Sequence, residues 1–185
     1  MGNTSTGIVK QRQDPLRARY SSVTADAWIT DCARTVTDGG ADPFHGIVVP
    51  GEGHGAQWHF GIHRAVGGYH DLPNPGDMLC AALASCLDAT LRMVADRLEI
   101  QIQSLEVLVD AKLDVRGSLL VDRNVPVAFQ HMRCRIRLQP VDDADPAKVQ
   151  MLIAAAEHSC VVLQTLRKGV PVEARIGGPL RRAAE

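Results

Sequence analysis

Five thiols are the side chains in this sequence best suited to covalent chemistry: Cys32, Cys80, Cys86, Cys134 and Cys160. Their number is odd, their spacing is wide and no C-x-x-C occurs, so neither the disulfide framework of a small secreted domain nor a zinc knuckle fits. In a reducing compartment they are structural or reactive thiols. Cys86 is the foremost candidate, because it falls in the middle of a long apolar stretch, NPGDMLCAALASCLDATLRMVADRL (74–98). Two readings of it stand side by side: a small core residue, unpaired cysteine being among the most buried side chains, or a nucleophile kept dry. The second needs a cation nearby, since the thiolate is the attacking form and apolar burial raises a thiol pKa. Bringing a thiol from about 8.5 to near 6 takes about 3 to 4 kcal/mol, which a close, poorly hydrated arginine supplies.

Two further sets of residues invite a chemical reading. Five of the seven histidines, His45, His54, His59, His63 and His70, lie between 45 and 70. His59 and His63 could share one side of a strand as metal ligands, but no paired cysteine or carboxylate motif stands beside them, and no metal is expected. His70-Asp71, just before the apolar stretch, is placed to touch a substrate at the rim of a site. The ladder His131, Arg133, Arg135, Arg137 is either an anion site or a solvated outer face of a sheet, and the second reading fits the alternation better.

The elements that must position these residues follow from periodicity. Asn74 is a good N-cap and Pro75 suits the first helical position, so a helix begins near Pro75. Leu79, Leu83, Cys86, Thr90 and Val94 share one face of it, and its front half is apolar enough to be buried on most sides. Ahead of it, residues 27–36 read as a strand turned by Gly39-Gly40. Short strands at 47–49 and 57–62 flank the turn PGEGHG (50–55), and a glycine- and proline-rich loop spans 65–76. Beyond it, residues 107–115 alternate as a half-buried strand, and a further strand runs from Val125 through Met132, Cys134, Ile136 and Leu138. Asp145 and Pro146 open a second long helix that stops at Gly169, with an interruption near His158-Ser159-Cys160. A last strand at 170–176 gives the order β-β-β-α-β-β-α-β. Strands grouped before and after helices, rather than alternating with them, predict an α+β fold with an antiparallel-rich sheet.

At this point two motifs carry a resemblance. PGDMLCAALASC (75–86) and AEHSCVVLQTL (156–166), in this order within residues 57–176, resemble the OsmC/Ohr family of thiol-dependent peroxidases. Pro75 and Cys86 keep that family's eleven-residue spacing from helix-opening proline to peroxidatic cysteine. Ala156, Glu157, Cys160 and Val162 match its second-cysteine motif. Three positions depart: Gly76 stands where the family has a glutamate that holds the catalytic arginine, Val161 where it has proline, and Ser85 where it has glycine or alanine. The resemblance implies an OsmC-like α+β fold in which antiparallel-rich sheets surround two long central helices of an intertwined homodimer, with active sites at the subunit interface. It implies reduction of organic hydroperoxides through a Cys86 sulfenic acid and a Cys86–Cys160 disulfide, reopened by an external dithiol of lipoyl type and without a bound cofactor. Arg34 is the expected cation and Arg64 its alternative, while Asp77 is the carboxylate nearest the missing glutamate. Arg64, His70 and Leu83 are expected to meet the substrate. A non-catalytic member of the same fold, a stress-related dimer holding a small apolar ligand, is the alternative.

Other classes are disfavoured by composition. Lysine plus arginine (20) balances aspartate plus glutamate (21), and only seven aromatic residues are available in 185, so neither a nucleic-acid face nor a membrane patch is expected. No uninterrupted apolar run approaches about 18 residues, and the polar first twenty residues lack a signal-peptide core, which predicts a cytoplasmic protein. Residues 1–20 are expected to be a loose arm that docks on the body or a partner, and 21–185 a single domain.

Overall fold

The computed structural model describes residues 7–36, 42–141 and 144–176. Helix α2, Pro75–Arg97, is its axis. The Asn74 side chain accepts the N–H groups of Gly76 and Asp77 at 2.8 and 3.2 Å, and the Asp77 carboxylate accepts the Asn74 N–H at 2.9 Å. This reciprocal cap fixes the helix start. Leu83, Leu87, Leu91 and Ala95, four residues apart, form the buried stripe, against which Leu152, Ala156 and Leu163 close the core. Each large side chain so buried stabilises the fold by about 1.5 to 3 kcal/mol. The stripe is rotated from the expected face: Cys86 lies on its flank and is only half-buried.

Strands β4, Ile102–Lys112, and β5, His131–Pro140, pair antiparallel with Val107 opposite Ile136 and Val109 opposite Cys134. Their apolar side packs on the core, and the other side carries the basic ladder. There Arg133 and Arg135 reach Asp110 at 3.6 and 3.4 Å and Arg137 reaches Glu106 at 2.8 Å, cross-strand pairs on an open face. A second sheet has the antiparallel order β1-β2-β3, made of Ala33–Val36, His45–Pro50 and Trp58–Gly61. Residues 62–74 tie it to α2, with Gly61 N–H on the Pro73 carbonyl at 3.0 Å and His70 N–H on Ile62 at 3.1 Å. Helix α4, Pro146–Ser159, and helix α5, Val161–Lys168, meet at a 64° bend. The bend falls on Cys160, whose ψ of 106° is extended. Gln164 Nε2 donates to the Glu157 carbonyl at 2.8 Å, satisfying one of the acceptors the bend frees.

Several sequence expectations need correction. The arm docks on the body as expected, with its Val9 N–H taken by Asp96 of α2 at 2.9 Å and its Asp14 paired with Arg97 at 3.0 Å, but it does so as a helix, α1, Ile8–Ser22, that was not expected there. The first strand is shorter than residues 27–36, because Thr24–Ala27 is a 3-10 turn and Trp28 and Ile29 stand exposed. The Gly39-Gly40 turn lies outside the described residues. β4 stops at Lys112, since Asp114 caps the short helix α3, Val115–Ser118, and chelates the Arg116 guanidinium. The next strand starts at His131 rather than Val125: Gln130 closes the pair instead, giving its N–H to Lys112 and taking that of Asp114. Residues 170–176 form no strand. By length and composition α2 is apolar enough to cross a membrane, because two charges within 18 residues do not cancel its hydropathy; here α1, β4, α4 and α5 pack upon it.

Candidate active site

The bend between α4 and α5 swings Cys160 inward until it is fully buried, and α2 presents Cys86 to it: the two Sγ atoms lie 3.3 Å apart. A disulfide needs sulfurs near 2.05 Å, so closing the pair takes about 1.3 Å of approach, within reach of side-chain rotation. Cys160 is also the N-cap of α5. Its thiol pKa is pushed up, first by burial and also by the adjacent Cys86 sulfur, while the backbone amides of Leu163 and Val162 pull the other way. The two thiols are therefore unequal. Cys86 is half-exposed and reachable by a small oxidant, whereas Cys160 is sealed and can react only with its neighbour. Thr90 donates its hydroxyl to the Cys86 carbonyl at 2.7 Å, within the helix backbone rather than at the sulfur.

The remaining expected site residues are dispersed in the single chain. Arg34, on β1, lines a separate cleft of about 330 Å³ with Val49, Gly51 and Glu52, and is not brought to the sulfurs. Arg64 sits in the exposed 3-10 turn Arg64–Val66. Asp77 is spent in the helix cap, accepting from both Asn74 N–H and Asn74 Nδ2. Gly76 has little room for a side chain: a Cβ there would lie 3.0 Å from Phe129 Cζ and 2.9 Å from Asn74 Oδ1. His70 is held at φ 59° with its ring edge-on to His63 at 4.3 Å, and Asp71 is engaged by His45. Leu83 is a core residue, 2 % exposed, on the wall of a cavity of about 600 Å³ between α2, β5 and α5. Among the described residues no group of histidines, cysteines and carboxylates is arranged to hold a metal.

Sequence reasoning missed two residues. Arg167 of α5 pairs with Glu157 of α4 at 3.0 Å across the bend, and lines the same cavity as Cys134. Burial raises the Cys134 pKa, with Arg167 acting against it. Phe129, the ring over Gly76, also lines that cavity. The only available signal was the glycine at position 76 itself, since a ten-residue separation across an unplaced bend has no periodic signature.

Fold and sulfur pair together define an antiparallel α+β protein with two non-adjacent thiols in contact. The chain belongs to the OsmC family: residues 68–175 match the family described as OsmC-like protein. Among solved structures it is similar to an OsmC-like protein from Mycoplasma pneumoniae, at 13 % identity over 76 % of this chain and 89 % of that one, with a TM-score of 0.60. An OsmC-like protein of unknown function from Vibrio cholerae matches at 10 % identity over 75 % and 94 %, TM-score 0.61. An organic hydroperoxide resistance protein from Legionella pneumophila matches at 17 % identity over 76 % and 90 %, TM-score 0.55. At these identities the likeness is one of fold. No curated protein sequence matches the chain.

Proposed function

We propose that the protein is a thiol-dependent peroxidase for small organic hydroperoxides, and the observation that carries the reading is the 3.3 Å contact between Cys86 and Cys160. The Cys86 thiolate attacks the distal oxygen of ROOH; the O–O bond breaks, ROH leaves with a proton from solvent, and Cys86 is oxidised to a sulfenic acid. The Cys160 sulfur then attacks the Cys86 sulfur, the S–O bond breaks and water departs, leaving a disulfide. An external dithiol of lipoyl type reduces that disulfide by exchange, and no bound cofactor takes part. Family membership and the likeness to a hydroperoxide resistance protein support this reading.

The cation that ionises Cys86 is assigned to a homodimer, in which Arg34 of the partner subunit, or Arg64, meets the thiol. Several features of the single chain support this. Ala81, Ala82 and Ser85 leave the side of α2 opposite its core stripe small and open, and Trp28 (86 % exposed) and Val172 (84 %) have no cover. We place the protein in the cytoplasm, where thiols are kept reduced, with no nucleic-acid or membrane partner.

The test is dithiol-dependent turnover of cumene or tert-butyl hydroperoxide by wild type and by Cys86→Ser. Turnover that vanishes in the variant supports the proposal; an equally inactive wild type ends it. One observation favours the non-catalytic alternative: Phe129 occupies the room that a glutamate at 76 would need, beside a cavity with a mainly apolar lining. On that reading the wild type would bind an apolar dye in the cavity without consuming peroxide.

A further inference from the structure

His45, the first residue of β2, has both ring nitrogens against carboxylates. Nδ1 lies 2.6 Å from Asp42 Oδ2, and Nε2 lies 3.1 Å from each oxygen of Asp71. A neutral imidazole has one N–H and one lone pair, so it can donate to only one of these partners and must turn the lone pair on the other. Both contacts are satisfied together only by the imidazolium. The Tyr69 ring stacks on His45 at 5.7 Å and 14°, and Phe44 meets Tyr69 edge-on at 5.4 Å, an aromatic face that also favours the cation. Room for the second carboxylate is made by Gly61, the strand partner of His45: a Cβ on Gly61 would sit 3.3 Å from Asp71 Oδ1.

These contacts join two parts of the chain. His45 belongs to the three-stranded sheet, while Asp71 lies in the loop that delivers the chain into α2 four residues later. We propose that His45 is a proton-operated latch: the imidazolium ties Asp42 to Asp71 and holds the loop against the sheet, and loss of the proton releases Asp71. Asp71 is the arm that lets go, because Asp42 is the shorter contact and only three residues away in sequence. Among the described residues, Asp42 and Asp71 are the charged groups that face the ring. The other titratable groups nearby are Tyr69, stacked on the ring, His59, two residues along β3 from Gly61, and His63 and His70, which contact each other. On the β1 side, Val36 pairs with Ile47, the second residue after His45 in β2.

The hydrogen bond that His45 donates to Asp42, then the one it donates to Asp71, hold its pKa above the ordinary value, and His45 in turn lowers both carboxylates. The latch is therefore closed at intermediate pH. It opens on the alkaline side as pH rises through the elevated histidine pKa, and on the acid side as pH falls through the depressed carboxylate range. None of this depends on peroxidase activity.

Amide hydrogen exchange on the full chain, followed by NMR with the ring nitrogen shifts of His45, tests it. The reporters are the Gly61 and His70 amides, which bond to Pro73 and Ile62, with the amides of β4 and β5 as controls. After correction for intrinsic exchange, protection of the reporters should fall by about tenfold as His45 loses its proton, while the controls hold. In His45→Gln the reporters should be weakly protected at every pH. In Asp71→Asn the ring should titrate at lower pH, with the loss of protection following it. Reporter protection that is flat across the His45 titration, or an Asp71→Asn ring that titrates where wild type does, overturns the latch.

Discussion

Replacing Cys160 by serine separates the two steps of the proposed cycle. Cys160 is fully buried with its sulfur 3.3 Å from that of Cys86. One thiol confined to a sphere of that radius corresponds to an effective concentration of about 10 M, before any credit for orientation. An external dithiol supplied at about 1 mM is then outnumbered about ten-thousand-fold, and even a tenfold handicap from the raised Cys160 pKa leaves a factor of about a thousand. The variant should keep its fold, because serine is a preferred N-cap residue and its hydroxyl would meet the same α5 amides that now face the sulfur. In single turnover with cumene hydroperoxide, Cys160→Ser should consume the first equivalent at the wild-type rate. Its Cys86 sulfenic acid should then persist about a thousand times longer, be trapped by dimedone, and pass to the sulfinic acid when peroxide is in excess. A sulfenic acid that disappears from Cys160→Ser as fast as from wild type would show that Cys160 does not resolve it.

Other outcomes follow from the same geometry. The resolving step in wild type should quicken as pH rises, because burial holds the Cys160 pKa above the ordinary thiol range and keeps the attacking thiolate scarce near neutrality; rapid-quench mass spectrometry from pH 6 to 9 reads this directly. Leu87→Ala, at a 1 % exposed position on the core stripe, should cost about 2 to 5 kcal/mol in urea unfolding. Asn74→Ala removes both side-chain bonds to the first-turn amides of α2 and the Nδ2 bond to Asp77, for a loss of about 1 to 2 kcal/mol by the same assay. Sedimentation at micromolar concentration should give twice the chain mass, and an arginine substituted on the open face, Ala82→Arg, should shift the protein toward monomer.

The central helix was legible because its signals are local: Asn74 and Pro75 mark its start, and apolar spacing marks its length. The α4–α5 interruption was legible too, from the polar run that precedes Cys160. Helix α1 escaped because its own residues are polar and weakly patterned, and an aspartate nearly ninety residues away, Asp96, caps it. The ends of β4 and β5 escaped because Asp114 and Gln130 decide them through side-chain bonds that alternation does not encode. Alternation at residues 170–176 likewise promised a strand, but a strand needs a neighbour, and none pairs with it among the described residues. In the site, the Cys86–Cys160 meeting came from motif resemblance rather than periodicity. The use of Asp77 in the cap and the ring of Phe129 over Gly76 are tertiary facts that spacing cannot supply.

The most direct measurement is disulfide mapping by mass spectrometry after one equivalent of cumene hydroperoxide is added to the reduced protein. One bridge should form, joining the peptides that carry Cys86 and Cys160, absent from Cys86→Ser and reopened by dihydrolipoamide. Five thiols that remain free, or a bridge joining any other pair among Cys32, Cys80, Cys86, Cys134 and Cys160, would contradict it.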